Sequence, residues 1–301
     1  MPSRLFAFCC ALLLASTAAA QDLEPRAFSQ TPVGMNFALL SWGYTGGDLS
    51  FDQSVPIEHA TGRIQTATAG YVRSFGLLGK SAKLAALVPF GFGDWEGEVG
   101  GEHESTTRNG FLDPAVQLAV NLIGAPALAM GDMPRFREST VVGVALLATA
   151  PLGQYDPARL INLGANRWSL RPRVGISQRL GKWHVEALGG VRVFADNNDF
   201  FGGKTVTQDP LWTLSIDGVR QFRRGFWLSL GWAVTDGGQT TVDGITGDTH
   251  QHNHQIGGIL AFPLGPRQSL KILYINGLST RIGADFDSVS LAWQMRWGGG
   301  I

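Results

Sequence analysis

Cysteine is almost missing from this chain: Cys9 and Cys10 are the only two in 301 residues. A disulfide framework is excluded for everything that follows them. Charge is sparse as well, with Asp, Glu, Lys and Arg making up 16%, and 24 basic residues balance 24 acidic ones. That balance excludes an electrostatic nucleic-acid binder, so no nucleic acid is expected as a partner. After residue 20 no apolar run approaches the roughly 18–20 residues of a membrane helix. Convincing helical periodicity is absent too, as are a nucleophile elbow and a zinc motif. The chain is therefore expected to be neither a helical membrane protein nor an enzyme, and to need no cofactor.

What is present begins with the N-terminus. Arg4 precedes the short apolar stretch "LFAFCCALLLA", and Ala18-Ala19-Ala20 offers small residues before Gln21. This pattern predicts a secretory signal peptide over residues 1–20, cleaved between Ala20 and Gln21. Cys9 and Cys10 lie within the apolar stretch, which argues against a lipoprotein. Residues 21–33 are expected to form a tail or a plug, with inward-folded chain conceivable as far as Ala60. Residues 34–301 are expected to form a single barrel.

The remainder runs to a two-residue beat. In "SVSLAWQMRW" (288–297), Val289, Leu291, Trp293, Met295 and Trp297 share one face, with Ser290, Gln294 and Arg296 opposite. "FWLSLGWAV" (226–234) and "DPAVQLAVNL" (113–122) alternate in the same way, the second placing Gln117 and Asn121 against valines and leucines. Such alternation is the mark of strands with one apolar face. Runs near 34–45, 62–75, 82–93, 108–123, 140–151, 167–180, 183–195, 208–222, 226–236, 249–263, 269–279 and 287–297 predict an all-β chain of about twelve strands. Connections alternate between short ones, such as "GK" (181–182) and "RRG" (223–225), and long polar ones near 46–62, 93–108, 152–166, 195–208, 235–250 and 278–287. "GAPALAMGDMPRFRES" (124–139) is a long segment where a short turn is due. Short turns on one rim, long loops on the other and aromatics beside the short turns (Phe75, Trp183, Phe222, Phe226, Phe262, Trp297) predict a transmembrane antiparallel β-barrel in a bacterial outer membrane. Its partners are then outer-membrane lipid, lipopolysaccharide and the barrel-assembly machinery, which reads a terminal strand ending in an aromatic.

By the same alternation, Gln117, Asn121, Arg171, Arg173, Arg179, Glu186, Arg192, Asp217, Gln294 and Arg296 face the lumen and are candidates for lining a pore. Hairpin pairing sets Arg171 near Arg192 and Arg173 near Gly190. These charges either form a selective constriction or fill the interior with a salt-bridged network. His250, His252 and His254 share a face, as metal ligands at two-residue spacing do. Their parity is that of Ile256, Leu260 and Phe262, which points them outward and weakens a metal reading.

Several stretches resemble the family of outer-membrane proteins named for the meta-pathway of phenol degradation. They are "NGFLDPAVQLAVNLIGAPAL" (109–128), "APLGQYDPARLINLGANRWSLRP" (150–172), "DNNDFFGG" (196–203), "QDPLWTL" (208–214) and "TTVDG" (240–244). The second, with Gly-x-Tyr-Asp followed by Asn-x-Gly-x-Asn-x-Trp, is the most specific. Leu112 stands where the family pattern has glycine, so a local difference is expected there. The resemblance implies a channel for passive movement of small hydrophobic or aromatic solutes and brings no catalytic residues. A structural or adhesive barrel and a membrane-embedded hydrolase are the alternatives.

Overall fold

The computed structural model describes residues 24–50, 57–99 and 101–300; the expected signal peptide and its cleavage site at Ala20 and Gln21 lie outside them. The first half of the wall comprises β1 (Met35–Ser50), β2 (Ile57–Leu77), β3 (Lys80–Val99), β4 (Glu102–Phe111), β5 (Ala115–Ile123), β6 (Thr140–Thr149), β7 (Ser169–Leu180) and β8 (Trp183–Phe194). The second half comprises β11 (Leu211–Arg223), β12 (Phe226–Gly237), β15 (Gln251–Pro263), β16 (Gln268–Ser279) and β17 (Gly283–Gly298). Above it a small sheet is formed by β9 (Asn197–Phe200), β10 (Lys204–Gln208), β13 (Thr240–Val242) and β14 (Ile245–Thr246).

Every wall pairing is antiparallel, and β1 closes the sheet by pairing with β17 from Met35↔Gly298 to Ser50↔Gly283. β4 and β5 pair with the upper and lower halves of β3, so together they count as one interrupted strand and the barrel has twelve. Closure leaves no sheet edge at the level of the apolar belt, which is the condition for placing strands in hydrocarbon, and the free side of β4 lies above it. The outward positions are apolar and exposed: Leu40, Leu84, Val88, Val116, Leu146, Val174, Ile176, Val185, Ile216, Leu230, Ile272 and Leu291 form a belt around the middle. Aromatic rings border it. Trp183, Phe222 and Trp297 mark the short-turn rim, and Trp42, Phe92, Phe111, Trp168 and Trp212 mark the other. Arg220 lies over the Trp183 ring at 5.0 Å and Arg223 over the Phe226 ring at 5.7 Å, so each cation reaches past its aromatic toward the interface.

Three expectations are corrected. The run 108–123 is broken at residues 112–114, because Pro114 has no N–H for the ladder and Leu112 turns into the lumen, almost fully buried. A Cβ at Gly91 would sit 2.7 Å from the Leu112 side chain, so the glycine across the strand makes room for this leucine. The stretches near 46–62, 93–108 and 278–287 are largely strand instead of loop. Their polar residues face water on both sides once the ribbons rise above the belt, and that hides the two-residue beat. Residues 35–50 belong to the wall, which limits inward-folded chain ahead of β1 to the residues before Met35.

Residues 24–34 turn back into the barrel from the short-turn rim. Phe28, 5% exposed, lies between the backbones of β6 and β7, where a Cβ at Gly143 would come within 2.2 Å of its ring and one at Gly175 within 2.5 Å. Ala119, Ala125, Val141 and Ala145 complete its surroundings. The long segment 124–139 supports this arrangement from below: Leu128 O accepts from Val33 N at 2.8 Å and Pro126 O from Gln30 Nε2 at 2.7 Å. Gly143→Val should therefore expel the Phe28 ring while the barrel still forms. Trypsin cleavage at Arg26 in the purified, heat-modifiable barrel is expected to accelerate several-fold, and an unchanged rate would contradict the packing described.

Candidate functional site

Inside the wall, the N-terminal segment is held by charge and by hydrogen bonds. Arg173 Nη1 donates to Glu24 Oε2 at 2.8 Å and its Nη2 to Gln117 Oε1 at 2.5 Å. Glu186 accepts from Arg26 N at 2.5 Å through Oε2 and from Ser177 Oγ at 2.9 Å through Oε1. Asn121 Nδ2 donates to Phe28 O at 3.1 Å, and Lys83 Nζ donates to Ala27 O at 2.6 Å. All of these groups lie on the β3, β5, β7 and β8 side, so the segment hugs one part of the wall.

The opposite side stays open. A lower chamber of about 860 Å³ runs between the segment and β1, β12 and β15–β17. Its charged border is Arg26, Lys83, Arg224, Arg267, Lys271 and Arg296 against one carboxylate, Glu24, which Arg173 already holds. Above it lies an upper chamber of about 380 Å³, bordered by Ile64, Leu112, Leu160, Leu163, Ile259 and Leu273 together with Asp113, Tyr155, Arg167 and Arg192. Lys271 borders both chambers.

The roof of the upper chamber is an apolar cap. Leu160 and Leu163 of the β6–β7 loop meet Leu49, Ile64, Trp95, Leu112 and Phe286 from the wall, and Phe200, Val206 and Val242 from the small sheet. The loop that carries the two leucines is clasped by residues of the Gly-x-Tyr-Asp…Asn-x-Gly-x-Asn pattern together with Asp113 and Asn197. Asp113 accepts from Gly153 N through Oδ1 and from Ala165 N through Oδ2, both at 2.8 Å, tying the two arms of the loop together. Gly153 and Gly164 pack so closely that a Cβ on either would lie 2.8 Å from the other's backbone. The Asn162 amide accepts from Asp156 N at 2.8 Å and donates to Arg159 O at 2.9 Å. Asn197 joins the next loop, accepting from Asn166 Nδ2 at 2.9 Å and donating to Tyr155 Oη at 3.0 Å. Burial holds the Tyr155 phenol above its ordinary value and draws the Arg167 guanidinium down to about 10, still cationic at neutral pH.

The ten lumen candidates divide by position. Gln117, Gln294 and Arg296 border the lower chamber and Arg192 the upper. Asn121, Arg173 and Glu186 face inward but hold the N-terminal segment instead of bordering either chamber. Arg171 donates to Thr213 at 2.9 Å within the wall, and Asp217 is buried beside Glu186 on the neighbouring strand. Arg179 sits at the rim and donates to Gly181 O at 3.1 Å. Lys83 and Lys271 were missed by sequence reasoning, and their inward parity was the available signal; residues 24–28 fall within the stretch 21–33 expected to form a tail or a plug. The histidines point outward, where His252 Nδ1 and His250 Nε2 approach one Asp236 oxygen at 2.8 and 3.4 Å and His254 stacks on Trp232. Among the described residues the group whose ligand atoms come together as a metal site requires is Glu58, His59 and Glu98, at an exposed hairpin tip.

A closed twelve-stranded antiparallel sheet with an apolar outer belt, aromatic rims and a polar, partly filled interior defines a transmembrane β-barrel. Residues 46–288 match the model of the family described as "Putative MetA-pathway of phenol degradation", and the chain belongs to that family. No curated protein sequence matches it. Among solved structures, an outer membrane channel from Pseudomonas putida F1 superposes with a TM-score of 0.77 at 18% identity, covering 91% of this chain and 100% of that one. The translocator domain of the autotransporter NalP from Neisseria meningitidis gives a TM-score of 0.52 at 13% identity, covering 95% and 99%.

The clasp is testable on its own. Asp113→Ala removes the acceptor for both arms of the β6–β7 loop, and each bond to a charged acceptor contributes about 1.5–3 kcal/mol. In a Leu160→Cys background, reaction of the introduced thiol with a membrane-impermeant maleimide is expected to rise at least tenfold on adding Asp113→Ala. Equal reactivity in both proteins would show that Asp113 does not hold the loop.

Proposed function

We propose that this protein is a passive outer-membrane channel for small solutes with hydrophobic or aromatic bodies, and that it performs no catalysis. The observation that carries the reading is the unfilled part of the lumen: the N-terminal segment occupies only part of it, leaving a lower chamber beside the segment and an upper chamber above it that share Lys271. A barrel built only as a scaffold or adhesin gains nothing from leaving such volume unfilled, since a small barrel packs its interior with side chains. The family's description and the channel from Pseudomonas putida F1 support the same reading. Flux would run down a gradient, with the short-turn rim toward the periplasm and the long loops outside. Lipid meets the apolar belt, and the acidic hairpin over residues 94–104 approaches lipopolysaccharide through divalent cations.

In planar bilayers the purified protein should show single channels. Phe28→Ala, a truncation that costs about 3–5 kcal/mol at a well-packed site, should loosen the segment and raise the mean conductance at least twofold. Absence of conductance from both proteins, with no uptake of aromatic or charged solutes into proteoliposomes, would remove the channel reading.

A further inference from the structure

The polar groups around the upper chamber are unevenly satisfied. Its carboxylate, Asp113, has each oxygen occupied by a backbone N–H at 2.8 Å. Tyr155 Oη donates to Asp199 O at 3.0 Å and accepts from Asn197, whose own amide is bonded on both ends. The cations are different. Arg167 gives one nitrogen to Gln208 and lays its guanidinium over Phe194 at 4.7 Å, and its Nη1 is buried without a hydrogen-bond partner among the described residues. Lys271 Nζ faces the Trp227 ring at 5.8 Å, and Lys271 borders the chamber. The chamber's carboxylate is committed while Arg167 Nη1 is left over, and a buried donor without a partner is costly. The group that completes the chamber brings acceptors and negative charge.

Shape and surface narrow the choice. Ile259 and Leu273 of the wall and Leu112, Leu160 and Leu163 of the cap line the same space, so charge is confined to part of its border. A volume of about 380 Å³ lies within the roughly 300–1,000 Å³ common for small-ligand pockets. Hydrated inorganic anions satisfy the donors but leave the leucines facing water. Below, the lower chamber carries six cations on its border against the one carboxylate paired to Arg173, so an anion meets favourable potential from one chamber to the next.

We propose that the upper chamber is a binding site for small organic monoanions, aromatic or branched aliphatic carboxylates, held by Lys271 and Arg167 at the carboxylate and by the leucine-lined wall at the apolar body. The passage as a whole is then anion-selective. This deepens the channel reading and rests on it. Lys271, which borders both chambers, is the group that transfers the carboxylate from one to the other.

Benzoate, benzyl alcohol and benzylamine test the site, since they share a ring and differ in charge. Calorimetry on the detergent-solubilised full chain should show benzoate binding at least tenfold tighter than benzyl alcohol, and no benzylamine binding. Lys271→Gln and Arg167→Gln should each weaken benzoate roughly tenfold, as loss of a hydrogen bond to a charged group implies. Arg135→Gln, which removes a cation from the exposed turn below the barrel, should leave it unchanged. In bilayers under a salt gradient the reversal potential should report anion preference, reduced in Lys271→Gln, and benzoate should carry current. Equal affinity for all three probes, or wild-type benzoate affinity in both variants, overturns the proposal. A pore that conducts cations and anions alike and binds no benzoate overturns it too, and leaves the channel reading standing. Benzoate binding in a protein that never conducts would keep the site and sink the channel.

Discussion

Everything in this molecule depends on one seam. The first wall strand lies against the last, from Met35↔Gly298 upward, and without that pairing two long edges would present unbonded amides and carbonyls to hydrocarbon. Each such group costs several kcal/mol where water is absent. With the seam closed, the backbone is satisfied by the wall itself, and side chains are free to specialise. The outward ones serve lipid, and the inward ones need only be compatible with the volume they enclose. Functional variety therefore resides in the lumen and the rims, while the belt answers to a single requirement.

Filling that volume is the second problem, and the chain solves it with glycine and with its own beginning. Gly143 and Gly175 remove side chains from two adjacent strands at one height, and Phe28 occupies the resulting hollow. An aromatic ring contributes about 1.5–3 kcal/mol when transferred from water to such a site. That suffices to hold a short segment when Glu24, Arg26 and Asn121 add bonds around it, yet it is far less than the wall's own stability. The 124–139 segment, too long for a hairpin turn, is spent on supporting this re-entrant stretch. Its length thus has a structural reason.

Strand number, face assignment and the inward parity of residues such as Arg173 and Gln294 were legible because two-residue alternation is a local property. Contacts that join non-periodic segments were not. Nothing in "EPRAFSQTP" announces that Phe28 meets glycines more than a hundred residues away. The hairpins above the belt were hidden for the opposite reason, since strands wetted on both faces lose their alternation. The family-like stretches fall between these cases. "GQYDPARLINLGAN" was recognisable as a pattern, but only the folded chain shows that Asp113, Tyr155, Asn162 and Asn197 are there to clasp a loop and bring Leu160 and Leu163 over the mouth. Motifs scattered through the sequence converge on one cap.

Net charge conceals the last element of the design. The 24 basic and 24 acidic residues cancel in the sum but not in space. Acidic residues such as Asp94, Glu96, Glu98, Glu102 and Glu104 crowd an outer hairpin, whereas the lower chamber is bordered by six cations and one carboxylate. Separating charge in this way is costly in a low-dielectric interior unless something mobile supplies the missing sign. In a sealed scaffold the inexpensive solution is pairing, and Arg173 with Glu24 shows the chain uses it where the lumen is filled. Around the lower chamber carboxylates are too few for that, and water in the open volume can screen what the wall leaves uncompensated. The packing of the lumen thus governs its electrostatics, because the re-entrant segment brings in Glu24, the one carboxylate that borders the lower chamber, and Arg173 holds it.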